Sequence, residues 1–220
     1  MAFKLVSLVS AVTFLISFKI NATEDQSLKE THKSILKSQE HLTVQFDQKI
    51  YRKMRNKITQ RTGIASFSKP NMFLWTFDDK KNQEKYYFNG TTLSHFQTSD
   101  QSVTHYSTKN SFAKELQDVV DLVLDTEKLF TRYSPKIIES QKDFSRINLI
   151  PTSKNPTDVS KIEVKILTTK SFIEEINVEY QDGNYTYFTF KNPNNKPIDP
   201  KTFVYSKPQG ATNVKEKVFN

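Results

Sequence analysis

The sequence predicts a mainly β fold with helices, of the α+β class: a curved antiparallel sheet capped by an N-terminal helix and a central helical lid. Three patterns predict it. Between Leu42 and Tyr106, short runs alternate apolar and polar side chains and are separated by turn signals. Near the middle of the chain, Phe112, Leu116, Val119, Val120 and Val123 recur at helical spacing, and Leu122 and Leu124 widen the stripe. From Ile162 to Phe190 the period of two returns.

The elements follow in order. Thr23-x-x-Gln26 and Ser27-x-x-Glu30 have the capping-box form, in which side chains satisfy the first free N–H groups of a helix. With Leu28, Ile35 and Leu36 behind them, they predict a helix over roughly residues 24–40. Leu42, Val44 and Phe46 then share one face of a strand, opposite Thr43, Gln45 and Asp47. Thr59–Ser68 continues as strand. Pro70 opens the next one, in which Phe73, Trp75 and Phe77 line one face and Met72 and Leu74 the other. A strand apolar on both faces is normally covered on both sides. Glu84–Phe88 and Thr91–Phe96 form a hairpin across Asn89-Gly90, a pair that tolerates the positive φ values of a tight turn. Val103–Tyr106 is a further short strand.

The central helix, about 112–126, is too apolar to rest one face alone on a core. After it, Leu129, Phe130, Tyr133, Ile137 and Ile138 surround Pro135 and predict a second apolar helical piece that breaks or kinks. Ile162, Val164 and Ile166 alternate with Lys161, Glu163 and Lys165; Phe172, Ile176, Val178 and Tyr180 alternate with Ile173, Glu175, Asn177 and Glu179. Asp182-Gly183-Asn184 turns the chain into Tyr185–Phe190. Asn192–Pro200 is a proline-rich turn segment, and Phe203–Tyr205 a last short strand. No separate domain is signalled, nor a repeat.

The first 22 residues have the form of an export signal. Lys4 supplies a positive start, Leu5 to Phe18 is an almost uncharged apolar run, and Ile20-Asn21-Ala22 leaves a small residue for cleavage. Such a run falls short of the ~20 residues that span a bilayer. Cleavage leaves a single domain, residues 23–220, expected to be exported and soluble. The absence of cysteine excludes both disulfides and the acylated cysteine of a lipoprotein. Formal net charge is +8, or +6 without Lys4 and Lys19. Its densest patch is Arg52-Lys53-Met54-Arg55-Asn56-Lys57, with Arg61 close behind. That patch is either a solvated hairpin tip or a dock for an acidic partner or anionic headgroups.

Catalytic chemistry finds little support. His32, His41, His95 and His105 stand far apart without metal-ligand spacing, so neither metal nor cofactor is expected. Asp78-Asp79 and Glu174-Glu175 are adjacent carboxylates, but successive strand residues face opposite sides of a sheet and should not converge. Nucleophile elbows and phosphate-binding glycine loops are absent, and four glycines leave little material for backbone cradles. Basic charge among aromatics could serve single-stranded nucleic acid, but export and the lack of a focused cationic stripe argue against it. The residues point instead to a carrier of an apolar ligand.

Gly63-Ile-Ala-Ser-Phe67-Ser-Lys69-Pro70-Asn71-Met72-Phe73-Leu74-Trp75, the Asn89-Gly90-Thr91-Thr92-Leu93 hairpin, and Tyr187-Phe188-Thr189-Phe190-Lys191-Asn192-Pro193 leading to Pro200-Lys201-Thr202-Phe203 and Pro208-Gln209-Gly210 resemble the outer-membrane lipoprotein carrier family, LolA. The resemblance is strongest over about 42–96 and 172–214. It implies an incomplete β-barrel whose apolar cavity shields lipoprotein acyl chains, shuttled by a periplasmic monomer from the inner to the outer membrane. Its partners would be acylated lipoproteins, an inner-membrane releasing ABC complex of the LolCDE type, and an outer-membrane acceptor of the LolB type. A regulator of the same fold, RseB-like and sensing lipid or polypeptide, is the alternative, as is a carrier of another amphiphile.

The expected cavity and lid residues are Phe73, Trp75 and Phe77 or their opposite-face partners Met72 and Leu74, together with Phe88, Leu116, Val119, Val120 and Val123. Where the family's best-known members place an arginine that latches the lid, this chain has Lys69. An ammonium lacks the planar five-donor fork of a guanidinium.

Overall fold

The computed structural model describes residues 40–79, 83–99, 101–107, 119–124, 130–152, 157–207 and 215–219. The export segment, nearly all of the helix expected over 24–40, His32 and Leu116 lie outside them. Twelve strands make one sheet: β1 (His41–Arg52), β2 (Lys57–Ser68), β3 (Met72–Phe77), β4 (Glu84–Phe88), β5 (Thr92–Gln97), β6 (Ser102–Ser107), β7 (Tyr133–Ser140), β8 (Phe144–Pro151), β9 (Val159–Leu167), β10 (Phe172–Tyr180), β11 (Tyr185–Asn194) and β12 (Lys215–Phe219). Their order is β12-β6-β5-β4-β3-β2-β1-β11-β10-β9-β8-β7. The sheet is thus two meanders, β1–β6 and β7–β11, joined where β1 pairs with β11. All pairings are antiparallel except that of β12 with β6. The sheet is curved and open, an incomplete barrel.

Period two fixes which residues share the inner row. Phe46 stands between Gly63 on one side and Phe190 on the other, and Gly63 in turn opposes Phe77. A Cβ at Gly63 would sit 2.1 Å from the Thr76 carbonyl oxygen and 2.8 Å from the Phe46 ring. Glycine there lets a ring lie across the strand. The Asn89-Gly90 turn forms as expected: Asn89 Oδ1 accepts from the backbone N–H groups of Thr91 and Thr92, both at 3.0 Å, and Gly90 has φ 96°.

The outer face of β3 to β6 is covered too, as its two-sided apolar pattern requires. A 3-10 turn over Pro200–Phe203 packs on β3 and buries Phe203 completely. Tyr205 then lays its ring against Tyr87 at 5.8 Å and Phe96 at 5.6 Å.

The structure corrects several expectations. Residues 133–140 are strand, not a kinked helix; only 130–132 continue helically. Pro135 is tolerated because β7 is the last strand of the sheet, where a missing N–H breaks no ladder. Strand β8 was not expected, nor was β12. Strand β11 runs on to Asn194, into the segment expected to turn. Phe203–Tyr205 is no strand: Pro200 opens a 3-10 turn whose N–H at Lys201 donates to Asp199 Oδ1 at 2.9 Å. Glu174 and Glu175 do not oppose each other across the sheet. A bulge between Ile173 and Glu175 turns both carboxylates to Lys165, whose Nζ lies 2.7 and 3.5 Å away.

Candidate functional site

Topology explains why something lies across the concave face. Strand β6 is near one edge of the sheet and β7 is the other edge, so the connection between them must cross its width. The described parts of that connection, residues 119–124 and 130–132, are helical, and Val119, Val120, Leu122, Val123 and Leu124 are all buried in the core. Its Asp121 receives the guanidinium Nη2 of Arg132 at 2.8 Å, fastening the segment to the foot of β7. Val119, Val120 and Val123 are thus buried in the core cluster, while Leu116 is outside the described residues.

Beneath the helix the floor is aromatic on one side. Trp75 lies at ring-centroid distances of 5.8 Å from Phe46, 6.4 Å from Phe67, 6.1 Å from Phe73 and 5.3 Å from Phe188. Phe73 stacks on Phe88 at 5.4 Å, and Phe46 meets Phe77 edge to face at 5.2 Å. Phe73, Trp75, Phe77 and Phe88 therefore all face inward and are buried. Met72 and Leu74 point to the outer face and are half-buried there. The choice between the two faces of β3 is thereby decided. On the other side the floor is aliphatic, built from Ile147, Leu149, Ile162, Val164, Ile166, Ile176 and Val178. Phe46, Phe67, Phe172, Ile173, Phe188 and Phe190 complete the inner surface; the alternation expected to set Phe172 and Ile173 on opposite faces fails beside the bulge after Ile173, and both are buried.

Where helix and sheet meet, Leu42, Val44, Phe67, Val123, Phe172, Ile173 and Phe190 leave a space of about 10 Å³. That is room for one water-sized sphere, against roughly 300–1,000 Å³ for ligand cavities in general. The helical side chains occupy the hollow of the sheet.

Polar groups inside are few. Trp75 Nε1 and Gln48 Oε1 are buried with no hydrogen-bond partner among the described residues. At the end of the concave face, Arg61 stacks its guanidinium on Phe77 at 3.5 Å and bonds Glu84 Oε2 at 2.8 Å. The Tyr86 hydroxyl donates to the same carboxylate at 3.3 Å, and His95 stacks on Tyr86 at 4.1 Å. Burial, reinforced by the Glu84 charge, pushes the Tyr86 phenol up. Lys69, the candidate at the family's latch position, places its Nζ 3.4 Å from Glu40 Oε1. His41 and His105 bond Ser68 and Ser94, and no group of three or more metal-ligating side chains is assembled among the described residues.

The family model described as outer membrane lipoprotein carrier protein LolA matches residues 37–206. An outer-membrane lipoprotein carrier protein of Pseudoalteromonas translucida is 23% identical over 212 residues, covering 94% of this chain and 95% of that one. One of Vibrio cholerae is 24% identical over 183 residues, covering 83% and 87%. Among solved structures, an uncharacterized conserved protein from Thermus thermophilus shares the fold at TM-score 0.53 and 6% identity, covering 88% of this chain and 99% of that one. A DUF1329 family protein from Desulfovibrio piger does so at 0.51 and 11%, covering 82% and 97%. With an open, curved sheet, a helix in its hollow and a family match running through both meanders, this chain belongs to the LolA family of outer-membrane lipoprotein carrier proteins.

Proposed function

We propose that this protein encloses lipoprotein acyl chains against its concave face and ferries them across the periplasm from the inner to the outer membrane. The observation that supports this most directly is the hollow itself. It is apolar across both meanders and covered by an apolar helical segment. Withdrawal of that segment would free the volume its valines and leucines fill.

The energetics require such enclosure. Keeping one palmitoyl-length chain out of water is worth on the order of 12 kcal/mol at ~0.8 kcal/mol per methylene. An acylated protein released alone would rejoin a membrane or aggregate. A cover made of the carrier's own side chains hides the floor when no cargo is bound and is displaced when acyl chains compete for it. The indole N–H of Trp75, buried without a hydrogen-bond partner among the described residues, offers one donor to an ester or amide carbonyl of the cargo. The protein would receive cargo from a LolCDE-like releasing complex and yield it to a LolB-like acceptor.

The test is a release assay. Membranes holding labelled lipoprotein and its releasing complex, mixed with the purified protein, are expected to yield a soluble one-to-one complex; label that stays in the membranes overturns the proposal. Replacing Val120 by aspartate is expected to abolish uptake while leaving far-ultraviolet dichroism native. Loss of the whole fold would instead mark Val120 as a structural residue.

A further inference from the structure

The tip of the β1–β2 hairpin carries chemistry that lipid enclosure leaves unused. Every residue from 52 to 60 is exposed, and none of them is acidic. Met54 is as open as in an extended peptide, at 101%, and Ile58 is 53% exposed. Arg52, Lys53, Arg55 and Lys57 surround them. An apolar side chain among cations suits the boundary of an anionic bilayer, where methylenes enter the headgroup layer and the charges stay on the phosphates.

The tip is also held in shape. Asn56 takes φ 44° and donates its N–H to the Lys53 carbonyl at 3.1 Å, closing a 3-10 turn. The Lys53 N–H donates to Asn184 Oδ1 at 2.8 Å, and Asn184 is itself fixed by Asp182 at 2.6 and 2.9 Å. Tyr51 stacks on Tyr185 at 5.1 Å and donates to Asn56 Oδ1 at 3.4 Å. The neighbouring β10–β11 turn therefore braces the tip, so little ordering is needed when it meets a surface. Beside it, Asp158 and Asp182 share a polar recess of about 470 Å³ with Arg52. Lys53, Arg55 and Lys57 remain as the forward charges.

We propose that this tip docks the protein on membrane surfaces rich in anionic phospholipid, Met54 entering the headgroup layer and Lys53, Arg55 and Lys57 resting on phosphates. The docking does not depend on what fills the concave face.

Flotation of the protein, in the form its host matures, with phosphatidylcholine vesicles and with vesicles also containing phosphatidylglycerol tests this. Binding is expected only with the anionic lipid, and should fall with salt as the screening length shortens from ~10 Å at ~0.1 M to ~3 Å at ~1 M. Neutralising one cation, as in K57Q, is expected to weaken partitioning about fivefold. Charge reversal in K53E/R55E/K57E should abolish it. Met54→Ser, at a fully exposed position that folding cannot need, should weaken binding roughly tenfold while preserving its salt dependence. These variants should still take up lipoprotein in the release assay, which separates failure of docking from failure of carriage. No partitioning onto anionic vesicles, undiminished binding by both the triple variant and Met54→Ser, or binding to polyglutamate but not to vesicles would each overturn the proposal.

Discussion

The two meanders meet the same helix with different materials. The β1–β6 side presents rings: Phe46, Phe67, Phe73, Trp75, Phe77 and Phe88, tilted, edge-on or stacked on one another at centroid distances between 5.2 and 6.4 Å. The β7–β10 side presents mostly short branched chains, among them Ile147, Ile162, Val164 and Ile166. Rings in mutual contact form a wall with few alternative packings, because each ring's position is fixed by several others. Small aliphatic side chains contact one another over less area, so each is held by fewer close contacts than a ring in the aromatic wall. The aromatic wall is therefore the more tightly interlocked of the two.

The comparison can be broken by truncation. Trp75→Ala removes the ring at the centre of the aromatic wall and is expected to cost about 3–5 kcal/mol in denaturant unfolding. On the opposite wall, Ile162→Val should cost only about 0.5–1.5 kcal/mol. Similar losses from the two substitutions, once scaled for atoms removed, would show that the walls do not differ in rigidity.

Alkaline pH sharpens it further. Tyr86 lies at the end of the aromatic wall with its phenol pushed up by burial and by Glu84. Its contribution to stability is full below the ordinary phenol value of about 10 and declines as pH rises beyond it, because the unfolded chain loses the proton first. Melting curves between about pH 9 and 11.5 should show this decline, shallower in Tyr86→Phe. The smallest effect belongs to the convex side. There Arg146 reaches Glu163 at 3.2 Å, Glu175 at 3.3 Å and Glu139 at 3.5 Å, all partly exposed. Glu163→Gln should change stability by about 1 kcal/mol or less, and less again in high salt.

Sequence legibility follows the same division. In β3 the alternation of Phe73, Trp75 and Phe77 with smaller or flexible residues is clear, and Asn89-Gly90 announces its own turn. The sequence leaves open which face of β3 is inward because both are covered, by the helical segment on one side and by Phe203 and its turn on the other. Strand β7 escapes detection because a bulge between Ile137 and Glu139 sets two isoleucines side by side, which imitates a helix. Strand β8 has only Ile147 and Leu149 firmly inward, while Phe144 is half-buried and Ile150 faces out at 41% exposure. Strand β12 has no apolar period of its own and is defined by pairing with β6. The Glu174 and Glu175 pair shows the limit most plainly, since one extra residue in a strand reverses every statement about facing.

An open sheet has two borders, and a long β border is a template on which further copies could pair into filaments. Among the described residues, β7 ends one border with Pro135, which offers no N–H, and with the irregularity after Ile137. At the opposite border β12 runs parallel to β6 and carries the exposed Lys217, so an arriving strand would meet charge. An incomplete barrel has thereby kept both of its described rims unsuited to self-assembly.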